Sequence, residues 1–192
     1  GTFYGDDLTF TTEARTYHED HEYVDLGLSV KWATANVGES RPEKAGDYFA
    51  WGEVEPKEEY TWENYKWCDG TENVMIKYND VDGKITLDSE DDAATMNWGG
   101  AWRMPSRAEC QELIDNCTWE EVLYDGVYGY KATSKITNQW LFFPATRHKD
   151  GYESVGGRHS FVWSSKSTLN AHAAYLSLSN GKYKVDTYYS AI

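Results

Sequence analysis

The sequence predicts an α+β fold in which mixed short strands and two helices are joined by long irregular loops. Apolar and polar residues alternate over residues 24–32 and again beyond residue 139, which is typical of half-buried strands. Residues 106–117 have helical periodicity behind a capping signal. The stretch 56–88 is charged and aromatic with weak periodicity, so we expect loops there, pinned by Trp62, Tyr65 and Trp67.

Composition narrows the class of protein. A chain of 192 residues suits one domain plus a fragment. Nine Trp, fifteen Tyr and six Phe predict a core dominated by large planar side chains. The net charge of −14 repels phosphate backbones, so no nucleic acid partner is expected. No apolar stretch approaches the roughly 20 residues of a membrane span, and we expect any signal or anchor sequence to lie outside this chain.

The amino-terminal residues indicate a domain boundary. Residues 1–12 suggest two short strands around "GDD", and because a lone hairpin is marginal in water, we predict the last strands of an upstream β-sandwich repeat. Residues 13–22 are polar and unpatterned, which favours a linker. His18 and His21 within it could ligate a metal, but no third ligand is evident nearby, so a solvated linker is preferred.

Two strands are predicted next. Residues 24–32 alternate so that Leu26, Leu28, Val30 and Trp32 share one buried face of a half-exposed strand. After the loop "NVGESRPEKAG", the run "DYFAWGE" predicts a short aromatic strand.

The acidic stretch "YNDVDGKITLDSEDDAA" invites comparison with a calcium-binding loop. An EF-hand register puts Tyr78 in the first ligand position and Ser89 in the twelfth, and neither is the required carboxylate. We therefore predict a turn at "VDG" and a helix amino terminus near Asp91 and Asp92. No metal or other cofactor is expected.

The stretch "WGGAWRMPSRAECQELIDNCTW" is interpreted as scaffold. Ser106 and Glu109 form a capping-box pattern, and Cys110, Leu113, Ile114 and Cys117 then recur on one helical face. The two cysteines would lie roughly 10 Å apart along such a helix, beyond disulfide reach. They are predicted as buried thiols, unless one reaches Cys68 or the helix ends early. Gly99 and Gly100 allow close backbone packing beneath Trp98 and Trp102.

The last strands carry the predicted ligand site. The runs "QWLFFPAT", "HSFVWSS" and "AAYLSLSNGKYKVDTYY" predict strands, and Asn180-Gly181 predicts a two-residue type I′ turn. That turn pairs Ser179 with Lys182 and Tyr175 with Asp186, so one face of the hairpin is apolar and the other is mixed. The mixed face suits adaptable contacts, although an ordinary solvated sheet face is the alternative. We predict as ligand-binding residues Tyr175, Ser177, Lys184, Asp186, Tyr188 and, at the start of the same tail, Asn170.

Several strings together resemble a known family. "YVDLGLSVKWATANVG", "GDYFAWGE", "DDAATMNWGGAWRMPSRAECQELIDNCTW", "FFPAT" and "WSS" resemble the Fibrobacter succinogenes major paralogous domain over residues 23–189. The resemblance implies a C-type lectin-like fold for residues 23–192, after an immunoglobulin-like or fibronectin-like repeat. It also implies a secreted or surface lipoprotein of gut Bacteroidetes, at the extracellular or outer-membrane surface. Some related modules are variable proteins of diversity-generating retroelements, whose carboxy-terminal residues are diversified for ligand binding.

The chain departs from the family in two places. Family members usually close with a strand like "GFSVRPV", which is absent here, and often carry cysteine where this chain has Ala35. Ala35 leaves Cys117 without its expected partner. The sugar-binding motifs of calcium-dependent lectins are also absent from the sequence, so calcium-dependent carbohydrate recognition is not expected.

Function is then predicted by class. The chain has no G-x-S-x-G elbow, Walker loop, dinucleotide fingerprint or H-E-x-x-H motif, although a glycosidase with paired carboxylates stays open. The leading prediction is a non-enzymatic, monomeric extracellular module for ligand binding or adhesion, with a protein or glycan ligand. The alternatives are a structural spacer domain and an enzyme similar to the formylglycine-generating family, which needs a reactive cysteine pair.

Overall fold

The computed structural model describes residues 16–71, 74–146, 159–168 and 171–190. The predicted upstream repeat, residues 1–12, lies outside the described residues, as does Asn170.

The described residues form three antiparallel sheets of three strands each. Two α-helices follow the first sheet and precede the second in chain order, and this combination confirms the α+β class. In each sheet the strands lie in chain order. None of the helices in the described part of the chain is long and apolar enough to span a membrane. The elements are β1 Thr16–His18, β2 His21–Val24, β3 Trp32–Ala33, α1 Ala93–Trp98, α2 Arg107–Asn116, β4 Cys117–Tyr124, β5 Val127–Ser134, β6 Trp140–Pro144, β7 His159–Thr168, β8 His172–Ser179 and β9 Lys182–Tyr189.

The segment predicted as a linker carries regular structure. Residues 16–22 contribute to the β1–β2 hairpin, whose turn residues Glu19 and Asp20 have φ of 47° and 63°. β2 also pairs with β3. The hairpin has no alternating apolar residues. It is held instead by aromatic contacts of His21 with Trp98 at the end of α1 and of His18 with Trp102 in the following loop. Residues 16–22 of the predicted linker, residues 13–22, therefore carry regular structure, while the linker and the domain boundary stay predictions.

Neither early strand forms as predicted. In residues 25–32 the alternation of burial holds, since Leu26 and Trp32 are buried, Leu28 and Val30 are partly buried, and the intervening polar residues are exposed. Gly27, however, has φ of 72°, which interrupts an extended strand, and only the flanking β2 and β3 are regular. The "DYFAWGE" run is also irregular, although Ala50 and Trp51 within it are almost fully buried. The periodicity therefore predicts which positions are buried, but it does not predict whether their backbone forms a strand.

Helix α2 forms the centre of the main core. Ser106 Oγ accepts a hydrogen bond from Glu109 N at 3.2 Å, and the Glu109 carboxylate accepts one from Ser106 N at 2.7 Å, which confirms the capping box. The helix packs against β4 and the third sheet. It ends at Asn116, so Cys117 begins β4 instead of continuing the helical face; it is nevertheless buried, as are Cys68 and Cys110, and all three thiols are free.

The third sheet confirms the predicted hairpin. β8 and β9 pair with Tyr175 opposite Asp186 and Ser179 opposite Lys182. Leu176 and Leu178 are fully buried in the core around α2. The Asn-Gly turn thus set the register, and its apolar face was assigned correctly.

The irregular middle of the chain has its own small cores. Tyr65 is buried, and Trp62 and Trp67 pack against the same loop cluster, which confirms the predicted pinning residues. Asp92 accepts a hydrogen bond from Thr95 N at 2.9 Å and caps α1. The predicted helix amino terminus is therefore confirmed at Asp92.

Candidate functional site

A cavity of about 600 Å³ lies beside strand β7, at the edge of the third sheet. Its volume falls within the roughly 300–1,000 Å³ of small-ligand sites. Most of the other lining residues come from the β2–β3 region, the loop of residues 35–53, and α1 with the loop that follows it. Twelve of the residues that line the cavity are aromatic: Tyr23, Trp32, Tyr48, Phe49, Tyr60, Trp98, Trp102, Phe143, Phe161, Trp163, Tyr175 and Tyr188.

One wall is held against the third sheet by indole hydrogen bonds. Trp163 Nε1 donates to the carbonyl oxygen of Phe49 at 3.0 Å. Trp51 is fully buried, and its Nε1 donates to Ser164 O at 2.8 Å while its backbone N donates to Ser190 O at 2.9 Å. These bonds attach an irregular loop to a regular sheet, so Tyr48 and Phe49 are held at the cavity.

Another wall joins the end of α1 and the α1–α2 loop to the β1–β2 hairpin. The Trp98 and Trp102 rings meet edge to face with centroids 5.1 Å apart, and His21 stacks on Trp98 at 4.2 Å. Trp102 Nε1 donates to His18 O at 3.0 Å. Gly100 has φ of 59°, and a Cβ there would lie 2.8 Å from the Glu19 Cγ atom. The glycine therefore gives the hairpin room to dock.

Polar groups in the wall are largely paired with each other. Arg103 Nη1 and Nη2 donate to the two carboxylate oxygens of Glu109 at 2.9 and 2.6 Å. The Arg103 guanidinium and the helix cap hold the pKa of Glu109 down at about 2. The buried carboxylate of Glu53 pairs with Lys57 Nζ at 2.6 Å and accepts a hydrogen bond from the Lys66 backbone N at 2.7 Å. Both carboxylates thus have charge or hydrogen-bond partners within the protein.

The structure brings two of the six predicted ligand-binding residues to this cavity. Tyr175 and Tyr188 both line it, with ring centroids 6.4 Å apart. Tyr175 is only 8% exposed, however, so its predicted role as an exposed platform is wrong. It lies on the central strand, where the rings of Phe161 and Trp163 also cover it, and burial raises the pKa of its hydroxyl.

The remaining predicted residues lie apart from the cavity or outside the described chain. Ser177 follows Tyr175 on the central strand and is 6% exposed, so its predicted exposure is also wrong. Lys184 is on the edge strand β9, stays exposed and forms an ion pair with Asp186, which lowers the pKa of that carboxyl. Nothing structural bears on Asn170.

Sequence reasoning missed most of the cavity wall. Trp98, Trp102 and Arg103 belong to the "WGGAWR" string, which was interpreted as scaffold, yet all three line the cavity. The scaffold interpretation holds for Cys110 and Leu113, which are fully buried in the core. The one signal in the sequence is that two tryptophans stand close to an arginine. Sequence spacing alone does not show which of these side chains face a cavity.

The acidic loop forms a structural ion-pair centre. Asp91 is 1% exposed and accepts hydrogen bonds from Lys77 Nζ at 2.6 Å, Lys66 Nζ at 3.1 Å and the Tyr78 hydroxyl at 2.6 Å. The ammonium groups of Lys66 and Lys77 are bonded to the two carboxylate oxygens that a metal ion would use as ligands. Across the described ranges, no cluster of three or more His, Cys, Asp or Glu side chains could hold a metal ion.

Comparisons with known proteins return no relatives. No family model matches the chain, and neither a curated protein nor a solved structure matches it.

Proposed function

We propose that this chain is a non-enzymatic, extracellular ligand-binding module with a C-type lectin-like fold, and that the aromatic cavity is its ligand site. Within this proposal the protein is monomeric, works without a cofactor and acts at the surface of a bacterium of the gut Bacteroidetes type. The resemblance over residues 23–189 supports the fold. Short antiparallel sheets around long, tightly pinned loops agree with it.

The cavity is the observation that carries the ligand-binding proposal. A spacer domain gains nothing from a 600 Å³ opening lined by partly exposed aromatic rings, because covering those rings would stabilise the fold. Tyr188 is half-buried in the wall and lies on the carboxy-terminal hairpin. That hairpin is the region that related variable proteins diversify, so cavity and resemblance support the same part of the chain.

The cysteines argue against the enzymatic alternative. An enzyme similar to the formylglycine-generating family needs a reactive thiol pair. Burial raises the pKa of Cys110 to about 12 and that of Cys117 to about 11, so both stay protonated at neutral pH. Both thiols pack in the core around α2. Their environment is that of structural cysteines.

The ligand-binding proposal is tested on a combined glycan and protein-ligand array. We expect the wild-type chain to bind at least one array component and Tyr188→Ala to lose that signal. Tyr128→Ala is the matched control, since Tyr128 is 52% exposed on β5 and lies outside the cavity wall. A signal that survives both Tyr188→Ala and Trp98→Ala would show that the ligand binds outside the cavity. A wild-type chain that binds no component would favour the spacer.

Alkylation of the native protein separates the module from the enzyme. We expect iodoacetamide to label Cys110 and Cys117 slowly at neutral pH and quickly after denaturation, with mass spectrometry as the readout. Fast labelling of both cysteines in the native state would instead favour the enzyme.

A further inference from the structure

The Arg103 side chain offers an unused pair of donors at the cavity. Its Nη1 donates to Glu109 Oε2 and to Met104 O at 3.1 Å, and its Nη2 donates to Glu109 Oε1. The Nε hydrogen and the second Nη2 hydrogen lie on the other edge of the planar guanidinium, and they donate to no atom of the described residues. The side chain is 47% exposed and lines the cavity, so this second edge is available to a ligand.

This pair of donors on the second edge of the guanidinium, the Arg103 fork, is held rigidly before any ligand binds. Glu109 fixes the first edge of the guanidinium and is itself fixed by Ser106 N at 2.7 Å, at the start of α2. A donor pair of this kind loses little conformational entropy when a ligand binds. Its two parallel N–H groups match two neighbouring oxygen acceptors.

The charge around the fork favours a neutral ligand. Glu109 already neutralises Arg103, and the chain as a whole carries a net charge of −14, which repels anions. Two adjacent hydroxyl oxygens of a sugar ring fit the fork without adding charge. Asp47, which is exposed and also lines the cavity, can accept hydrogen bonds from sugar hydroxyls.

The aromatic walls suit the other faces of a sugar. Pyranose rings present C–H groups on one or both faces, and the negative face of an aromatic ring attracts such groups. Trp102 directly precedes Arg103, Trp98 lies five residues before it, and both line the same cavity. We infer that the cavity binds a neutral pyranoside through adjacent hydroxyl groups and that Arg103 is its polar anchor, an inference that rests on the proposed function.

The test uses four methyl pyranosides as probes: the glucoside, the mannoside, the galactoside and the negatively charged glucuronide. Saturation-transfer NMR detects binding, and tryptophan fluorescence titration measures affinity. We expect at least one neutral probe to bind, and the glucuronide to bind at least about tenfold more weakly. Arg103→Lys keeps the charge but removes the fork, and we expect it to weaken the neutral probe by about tenfold, as for one lost charge-assisted hydrogen bond.

Two further variants test whether the loss of binding is specific to Arg103 and whether charge sets the ligand preference. Arg41→Lys is the matched control, because Arg41 also pairs with a carboxylate, Asp125 at 2.6 Å, but lies outside the cavity wall; it should leave binding unchanged. Glu109→Gln retains a capping-box residue while removing the compensating charge. It should shift the preference toward the glucuronide, and an unchanged preference would overturn the charge argument.

The outcomes separate this inference from the proposed function. The inference is overturned if no neutral pyranoside binds, if the glucuronide binds most tightly, or if Arg103→Lys retains full affinity with an unchanged melting temperature. If the pyranosides fail while an array ligand still requires Tyr188, the ligand-binding module stands and only the sugar assignment falls. If neither the array nor the pyranosides show cavity-dependent binding, both fall together.

Discussion

The two halves of the molecule solve the problem of burying a backbone in different ways. Around α2 and strands β4 to β9, backbone groups pair along ladders and the core between them contains many aliphatic residues, such as Leu113 and Leu176. In residues 47–104, which apart from α1 have little regular structure, aromatic side chains donate to the backbone instead. Trp67 Nε1 donates to Gly52 O at 2.6 Å, and the Tyr65 hydroxyl donates to Trp51 O at 2.7 Å.

This difference explains the unusual composition of the chain. A buried carbonyl without a ladder partner needs another donor, and an indole or phenol supplies one while also filling the core. A high content of Trp and Tyr, nine and fifteen residues here, therefore suits a chain with long, irregular loops. The same halves differ in buried charge, since Asp91 lies at the centre of an ion-pair cluster in the loop half.

The largest expected effect comes from removing the buried charge of the loop half. Asp91→Ala removes the carboxylate that accepts hydrogen bonds from Lys66, Lys77 and the buried Tyr78 hydroxyl. It should cost about 4 kcal/mol of unfolding free energy, at roughly 1.5 kcal/mol for each lost bond to a charged group. Urea denaturation at pH 7 measures the loss. Ala at the exposed Asp80 is the control, with a cost below about 0.5 kcal/mol.

The pH dependence of the same centre follows from its pKa. Burial alone would raise the pKa of Asp91, but hydrogen bonds from Lys77, Tyr78 and Lys66 outweigh it and hold that pKa below its ordinary value. A carboxyl with a lowered folded pKa stabilises the protein above its unfolded pKa, and this contribution is lost as pH falls through the folded one. Wild type should thus lose stability below about pH 4, near the ordinary Asp value, more steeply than Asp91→Asn; parallel curves would contradict this.

The next effect tests the regular half. Leu113→Ala opens a cavity in the fully buried core and should cost about 3 kcal/mol. Leu123→Ala, at a position 59% exposed on β4, should cost less than about 0.5 kcal/mol. Ligand binding should persist in the Leu113→Ala protein that still folds. Unchanged stability with lost binding would reassign α2 from scaffold to site.

A smaller effect isolates one hydrogen bond of the loop half. Tyr65→Phe removes only the hydroxyl that satisfies Trp51 O and should cost about 1.5 kcal/mol, since the buried carbonyl loses its donor. Tyr17→Phe, at a position 55% exposed, is the matched control and should be neutral. Equal melting temperatures for the two variants would mean that the loop half does not depend on its phenol donors.

The smallest effect concerns a purely local signal in the regular half. Ser106→Ala removes the oxygen that accepts from Glu109 N and should cost about 1 kcal/mol, whereas Ser106→Gly should cost only a few tenths. Thermal unfolding of both variants checks the order. A larger loss for glycine than for alanine would contradict capping as the role of Ser106.

The signals that worked from sequence are local ones. The Asn180-Gly181 turn dictated the pairing of eight residue pairs between β8 and β9, and the Ser106–Glu109 spacing located the start of α2. Asp125-Gly126, the turn of the β4–β5 hairpin, is a signal of the same kind, although no hairpin is predicted there above. Turn and cap chemistry acts over two to four residues, so it survives almost any tertiary context.

Tertiary structure decided which of these surfaces became a site. Alternation correctly separated the two faces of β8, but only the sheet order made β8 central and so buried Tyr175 under Phe161 and Trp163. The docking of the β1–β2 hairpin against Gly100 likewise turned a polar stretch into a cavity wall. A sequence determines which side chains share a face; whether another element covers that face depends on contacts between residues far apart in the chain.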